Sequence, residues 1–287
     1  MGAGKTLIHF QTFGVESCCQ KRPWGIRGQI PFGFLILHLT RAEMYALFIK
    51  EVNGFLNSLI GYIVIVVFLA TLGLFLWVFP DNQFSILDAG YASLDPLFII
   101  TPWVYMFLVP AVCMRLFAEE RKSGTIEFLL TKPLTEMQIV LAKYFAGVVL
   151  VLFSLIPTLI YFATVWYLAV PSGNVDVGGI VGSYIGLFFL GAGFVSIGVF
   201  ASSISDNQVI AFIVSLFLCF FCYAGFDSVS GLIGSGKMAN AIEMLGINAH
   251  YISMSRGVID TRDVVYFLSL IAVFVTLTRT VLESRKW

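Results

Sequence analysis

Charged residues are scarce in this chain, and their scarcity excludes an ordinary soluble domain. Only 12% of the 287 residues are Asp, Glu, Lys or Arg, whereas 59% are hydrophobic, and the mean hydropathy is +0.92. Soluble globular proteins carry about 25% charged residues, because polar groups must cover their surface. We therefore expect lipid to be the main solvent of this chain, and we do not expect nucleic acid as a partner.

Residues that could form a catalytic or metal centre are also few. The histidines are His9, His38 and His250. Cys219 and Cys222 have the spacing of a zinc pair, but they lie in an apolar run without a second pair and fit better as small helix residues. A membrane protease or metal enzyme would need histidine or acidic pairs inside such runs. We therefore predict no catalytic residue, no metal site and no cofactor on this chain.

Long apolar runs are abundant instead. A membrane-spanning helix needs about 20 mostly apolar residues, because each residue adds about 1.5 Å and the hydrocarbon layer is about 30 Å thick. The predicted fold is therefore all-α, a polytopic membrane protein with six transmembrane helices. The predicted spans are Leu59–Phe79, Leu97–Phe117, Ile139–Val170, Ile180–Ser203, Val209–Phe226 and Val264–Leu282, the third with a bend or tilt at Pro157.

The distribution of Lys and Arg predicts the orientation of these spans. An even number of spans places both termini on one side, and that side collects nine basic residues from Met44 onward. The other side has only Lys237, Arg256 and Arg262. Because positive charges accumulate in cytoplasmic loops, we expect both termini in the cytoplasm.

The first 43 residues differ in composition from the rest. They contain adjacent cysteines, Cys18 and Cys19, and an apolar run, Phe32–Leu39, that is too short to cross a bilayer. We expect residues 1–43 to be an atypical N-terminal extension that is disordered or precedes a native start at Met44.

Residues 44–58 show the pattern of an amphipathic helix. Phe48, Val52 and Phe55 recur at helical spacing, with Lys50 and Glu51 on the opposite face. We expect this helix to lie in the membrane interface before the first span. The alternative is that it simply extends that span, which would carry both charges to a costly depth.

The loop between the second and third spans concentrates charge that the rest of the chain lacks. We expect a water-facing cluster at Glu119, Glu120, Arg121 and Lys122, and a break in the helix at Gly124. One or two helical turns at residues 125–130, a turn at Pro133 and a cap at Thr135 should follow. The alternative is a charged connector that only obeys the positive-inside rule.

At this loop the chain resembles the type-2 ABC transporter permeases. Their pattern E-E-(R/K)-x-x-G-T-(I/L)-E-x-L-L-T-x-P stands here at residues 119–133. The resemblance extends over residues 44–287 and is closest to the gliding-motility-associated permease subunits of Bacteroidetes. The matching residues are Glu119, Glu120, Arg121, Gly124, Thr125, Ile126, Glu127, Leu129, Leu130, Thr131 and Pro133.

The resemblance implies a permease domain, residues 59–287, in the bacterial inner membrane as part of an exporter. ATP and Mg would bind a separate ABC ATP-binding subunit, and a second permease copy or a related permease would complete the pathway. A coupling loop, about residues 118–137, would contact that ATP-binding subunit. Charged Glu119, Glu120, Arg121 and Glu127 would pair with it, and apolar Ile126, Phe128, Leu129 and Leu130 would fill its groove.

The remaining expectations concern other polar and small residues. An ion-coupled carrier or channel without an ATPase is the alternative function, and it would need charges in mid-membrane. We expect Arg115 and Lys143 to lie near the cytoplasmic span ends, where they can snorkel. The outer loop, residues 227–263, reads as a glycine-rich irregular segment followed by an amphipathic patch, Met238–Leu245, with a re-entrant segment as one option. The glycines of the fourth span should serve internal packing.

Overall fold

Six apolar helices in the computed structural model are long enough to cross a membrane, as the sequence predicted. The structure describes residues 32–80, 83–87, 90–127, 134–234 and 236–284, with side chains from residue 43 onward. No β-strand occurs among these residues. Spans one to six are Leu59–Val78, Asp95–Lys122, Glu136–Leu168, Val177–Ile204, Gln208–Ile233 and Thr261–Glu283.

Several spans contain more than one helical segment. Span one ends in a π turn at Leu74–Val78, span five contains another at Phe221–Gly225, and span three passes through a 3₁₀ turn at Ile156–Thr158. The 3₁₀ turn contains Pro157, the position at which the sequence predicted a bend or tilt of this span. The α-helices are α1 (Phe32–Leu56), α2 (Leu59–Gly73), α3 (Asp95–Cys113), α4 (Arg115–Lys122), α5 (Glu136–Leu155), α6 (Leu159–Leu168), α7 (Val177–Ile204), α8 (Gln208–Phe220), α9 (Phe226–Ile233), α10 (Lys237–Glu243), α11 (Ile247–Ser255) and α12 (Thr261–Glu283).

The chain divides after His38 into two compact units. Of the smaller unit, only the beginning of α1 lies within the described residues. The larger unit contains all six spans, and the descriptions below concern it alone.

Helix α7 lies at the centre of this larger unit. It packs against α3, α4, α5, α8, α11 and α12, and span four is the most buried of the six. Its glycines make this possible, because a Cβ at Gly191 would lie 2.7 Å from Val151 Cγ1 and one at Gly198 would lie 2.7 Å from Cys113 Cβ. The prediction that these glycines serve internal packing is confirmed.

The N-terminal helix differs from the prediction in its beginning and agrees in its end. Helix α1 begins at Phe32, so residues 32–43 are helical rather than irregular. No proline interrupts the chain between Pro31 and Pro80, so the apolar run continues into the amphipathic stretch as one helix. The chain then leaves helical geometry at Ser58, with φ −92° and ψ 133°, before α2 begins. The alternative that residues 44–58 extend span one is therefore wrong.

The outer segment, residues 234–260, is more regular than predicted. Helix α9 carries span five on to Ile233, and Gly234 ends it with a φ of +83°. Helices α10 and α11 then occupy most of the outer segment. The glycines at 225 and 231 lie inside helical segments. Tyr223 and Ala224, just before Gly225, pack in the core of the bundle.

Candidate functional site

One end of the bundle brings together the charged residues that the sequence scatters. Helix α1, helix α4, the first half of α5 and the turn after α7 meet there. Lys50 and Glu120 are 70 residues apart in the chain, and Glu51 and Lys143 are 92 residues apart. This end also contains the loop that resembles the coupling loop of type-2 permeases.

Lys143 lies at the centre of a buried ion cluster. Its side chain is 0% exposed, and its Nζ lies 2.9 Å from Glu51 Oε1 and 2.9 Å from Glu120 Oε2. The ammonium also donates to the carbonyl oxygen of Leu116. The two hydrogen bonds of the ammonium go to Glu51 Oε1 and to this carbonyl, whereas its contact with Glu120 Oε2 is an ion pair.

Lys50 completes the cluster from the solvent side. Its Nζ lies 2.9 Å from Glu120 Oε1 and 3.7 Å from Glu51 Oε1. Partial burial lowers the pKa of Lys50, but the hydrogen bond to Glu120 and the nearby carboxylate charges outweigh it, so its pKa is raised. The ion cluster, Lys50, Glu51, Glu120 and Lys143, thus has two cations and two anions. Balanced charge of this kind is what allows ionic groups to be buried.

The position of Lys143 corrects a prediction. We expected Lys143 to snorkel to the cytoplasmic surface, but it is fully buried beside the Phe117 ring, with Nζ 5.0 Å from the ring centroid. Snorkelling is unnecessary because Glu51 and Glu120 bring their charges to the lysine. Arg115 remains near the surface, with Nε 2.8 Å from Glu119 Oε2 and Nη1 2.9 Å from Ser58 Oγ.

Two residues of the predicted water-facing cluster are turned inward. The side chain of Glu120 is 11% exposed and belongs to the ion cluster. The side chain of Arg121 is 4% exposed, and its Nη1 lies 3.3 Å from Asp206 Oδ1 in the turn after α7. For Glu120 and Arg121 the water-facing prediction is therefore wrong, because partners distant in sequence pair with them. Lys122 is exposed, as predicted.

The loop beyond α4 follows its predicted backbone features. Gly124 has a φ of +70°, which a residue with a side chain rarely adopts, and α4 ends just before it. Thr135 caps α5 in a capping box, in which its amide donates to Gln138 Oε1 at 3.0 Å. Thr125 and Glu127 are exposed, whereas Ile126 packs partly against the core. Phe128, Leu129, Leu130, Thr131 and Pro133 lie outside the described residues.

Ser202, near the end of α7, is a structural residue at this end of the bundle whose role depends on contacts with distant residues. Its Oγ accepts from the amides of Phe117 at 3.0 Å and Ala118 at 3.2 Å, and it donates to the carbonyl of Met114 at 3.2 Å. The chain bends at Met114 between α3 and α4, which leaves these backbone groups in need of partners. Span four thereby fixes the start of α4.

A cleft of about 400 Å³ opens beside the ion cluster. Its polar part is formed by Lys50, Glu119 and Thr125, and its apolar part by Phe55 and Leu150. Helix α1 therefore contacts spans two and three through the ion cluster and through a small apolar cluster that includes Phe55.

Six apolar helices, of which spans two and three are joined to α1 by an ion cluster, define a multi-pass α-helical membrane protein with a structured polar end. Residues 45–287 match the family model described as ABC-2 family transporter protein, so the chain belongs to the ABC-2 transporter family. No curated protein matches the chain. It is a membrane permease subunit of an ABC-type transporter, a kind of subunit that generally is not catalytic itself and works with an ABC ATP-binding partner.

Proposed function

We propose that residues 118–137 form the coupling segment that receives the movement of the ATP-binding subunit, and that the complex exports its substrate across the bacterial inner membrane. Membership of the ABC-2 family supports the need for such a partner. The observation that carries the proposal is the ion cluster, because it connects the base of this segment to α1 and to span three at once.

The contacts at the base of the segment suit the transmission of a rigid-body movement. Glu120 contacts Lys50 of α1 and Lys143 of α5, while Arg121 contacts Asp206 after span four. Ser202 holds the start of α4 to span four. A force on α4 therefore acts on three other elements together, as hinge and shear transitions require.

The burial of the segment divides it into an inner and an outer part. Glu120 and Arg121 are engaged inside the subunit, whereas Lys122, Thr125 and Glu127 are exposed. We assign transmission to the buried residues. We assign partner contact to the exposed residues and to four residues outside the described ranges, Phe128, Leu129, Leu130 and Pro133. Ion pairs at the rim of an interface mainly set which partner is recognised. Glu127 is therefore the most informative position for testing contact with the ATP-binding subunit.

We expect Glu127→Lys to lower the amount of ATP-binding subunit that co-purifies by about tenfold, because a reversed charge would face the original partner charge. The measurement is a pull-down from detergent extract through a tag after Trp287. Glu243→Lys is the matched control, since it reverses an exposed carboxylate on helix α10 of the outer segment.

If Glu127→Lys and Glu243→Lys co-purify equal amounts of the ATP-binding subunit, the coupling segment does not contact that subunit through Glu127. Failure of any ATP-binding subunit to co-purify with the unaltered chain would favour the alternative, an ion-coupled carrier or channel. That alternative has one feature in its support, the charged Lys143 within span three. Its charge is already balanced by Glu51 and Glu120, which is why we prefer a structural role for it.

Orientation and assembly are part of the same proposal. The bias of Lys and Arg supports cytoplasmic termini and a cytoplasmic coupling segment. Spans one, five and six are the least buried of the six spans. These surfaces leave room for a second permease copy or a related permease, besides lipid.

We also propose that the transporter serves bacterial gliding motility, on the resemblance of residues 44–65 and 117–143 to the gliding-associated permeases. Deletion of the gene in the source bacterium should abolish spreading on soft agar, and a plasmid copy should restore it. A copy with Glu127→Lys should fail to restore spreading, whereas one with Glu243→Lys should succeed. Normal spreading of the deletion strain would assign the transporter to another process.

A further inference from the structure

The outer segment contains a histidine that neither the family assignment nor the proposed function uses. His250 lies on α11, and its Nδ1 is 2.8 Å from Oδ1 of Asp263 in the first turn of α12. Its other ring nitrogen, Nε2, is 3.0 Å from the carbonyl oxygen of Met244. The two side chains are only 15% and 9% exposed, so water does not replace these contacts readily.

The hydrogen-bond partners of His250 determine how many protons it shares with Asp263. The carbonyl of Met244 can only accept, so Nε2 of His250 must carry a proton. Nδ1 then either carries a second proton and donates to the Asp263 carboxylate, or accepts a proton from a neutral Asp263. In both forms the pair holds one proton more than a neutral imidazole beside a carboxylate. Without that proton, a ring nitrogen faces either the Asp263 carboxylate or the Met244 carbonyl with no hydrogen between the two atoms, so that contact is no longer a hydrogen bond.

The contacts of His250 join the outer segment to span six. The ring of Tyr266 on α12 stacks on the imidazole, with centroids 4.0 Å apart and planes 20° apart. The Tyr266 hydroxyl donates to the carbonyl of Leu245 at 2.7 Å. Met244 and Leu245 directly follow α10, so His250 and Tyr266 together hold the end of that helix against the start of span six.

The other titratable groups around His250 do not provide an alternative charge partner. Asp227 on α9 accepts from the Asn248 amide, and Tyr184, Tyr223, Cys222 and Tyr266 are uncharged phenols or a thiol. Asp260 caps α12, and its bond from the Arg262 amide lowers its pKa. The remaining charged groups on the surrounding elements are exposed to solvent, where water and salt screen them: Asp95, Lys237, Glu243, Arg256, Asp260 and Arg262.

We propose that His250 and Asp263 form a proton-binding site that holds the outer segment on span six. The site takes up one proton and no other ligand. Both ring contacts require this proton, so they hold the outer segment on span six while the proton is bound. When the proton leaves, one of the two contacts is lost and the outer segment is released.

The proton itself is measured by NMR on the full chain in nanodiscs, with ¹⁵N-labelled histidine and ¹³C-labelled aspartate. His250 is one of three histidines, and its signals are identified by their loss in His250→Asn. At about pH 6 we expect either a doubly protonated ring or a protonated Asp263 carboxyl. A neutral ring beside an ionised Asp263 at that pH would overturn the proposal.

The effect of the proton is measured by the melting temperature in detergent between about pH 6 and 8. The unaltered protein should lose about 2–4 °C on raising the pH, and His250→Asn should lose this dependence. In Asp263→Asn the amide donates to a neutral ring, so the dependence should reverse. Tyr266→Phe is the matched control, because it removes only the hydrogen bond to Leu245 and should keep the pH dependence of the melting temperature. The proposed site would be contradicted if the pH dependence of Asp263→Asn were not reversed, or if the melting temperature of Tyr266→Phe did not depend on pH.

Discussion

Replacement of Lys143 by methionine should destabilise the protein by about 3–5 kcal/mol, the usual result of removing one partner from a buried ion pair. The ammonium is fully buried and contacts Glu51, Glu120 and the Leu116 carbonyl. Methionine fills a similar volume, so the loss comes from two buried carboxylates that retain only Lys50 as a counter-charge. The measurement is thermal unfolding in detergent, where we expect a fall in Tm of about 10 °C.

Two comparisons separate the ion cluster from a general effect of losing a lysine. Lys122→Met removes an exposed lysine two residues after Glu120 and should change stability by less than about 0.5 kcal/mol. Glu120→Gln added to Lys143→Met removes one of the stranded carboxylates and should recover part of the loss. If Lys143→Met is as stable as Lys122→Met, the buried charges contribute nothing to the stability of the fold.

Introducing a methyl group at Gly182 should loosen the contact between span four and the outer segment. A Cβ at this position would lie 2.5 Å from the carbonyl oxygen of Gly257 and 2.8 Å from its Cα. Both are backbone atoms, so there is no flexible side chain that could move aside for the methyl group. Gly257 itself has a φ of +80°, a conformation that favours glycine. We expect Gly182→Ala to cost about 1–3 kcal/mol, typical of overpacking, when measured by thermal unfolding.

Gly231→Ala is the matched control for this substitution. Gly231 also lies within a helix, but among the described residues no atom beyond its own helix backbone and chain neighbours lies within 4 Å of its hypothetical Cβ. Alanine should therefore be neutral there or stabilise α9 by about 0.5–1 kcal/mol through its higher helix propensity. Equal destabilisation by Gly182→Ala and Gly231→Ala would assign the effect to the glycine backbone rather than to the close approach.

The sequence predicted the features whose causes are local. Each span needs enough consecutive apolar residues to cross the bilayer, so composition and length alone located all six. The break at Gly124 and the cap at Thr135 depend on one or two neighbouring residues, and both are confirmed. The sequence placed an amphipathic helix at residues 44–58, whereas α1 begins at Phe32, because a short apolar run is ambiguous until its continuation is known.

The candidate site was predicted only in part, for a different physical reason. Periodicity placed Glu120 on a charged helix, but it carried no information about a counter-charge 70 residues earlier on α1. Lys143 could equally have snorkelled, and only the convergence of α1, α4 and α5 buries it with two carboxylates. The local chain thus specifies which residues form spans and turns, whereas packing between distant helices specifies which charges meet and which stay exposed to a partner.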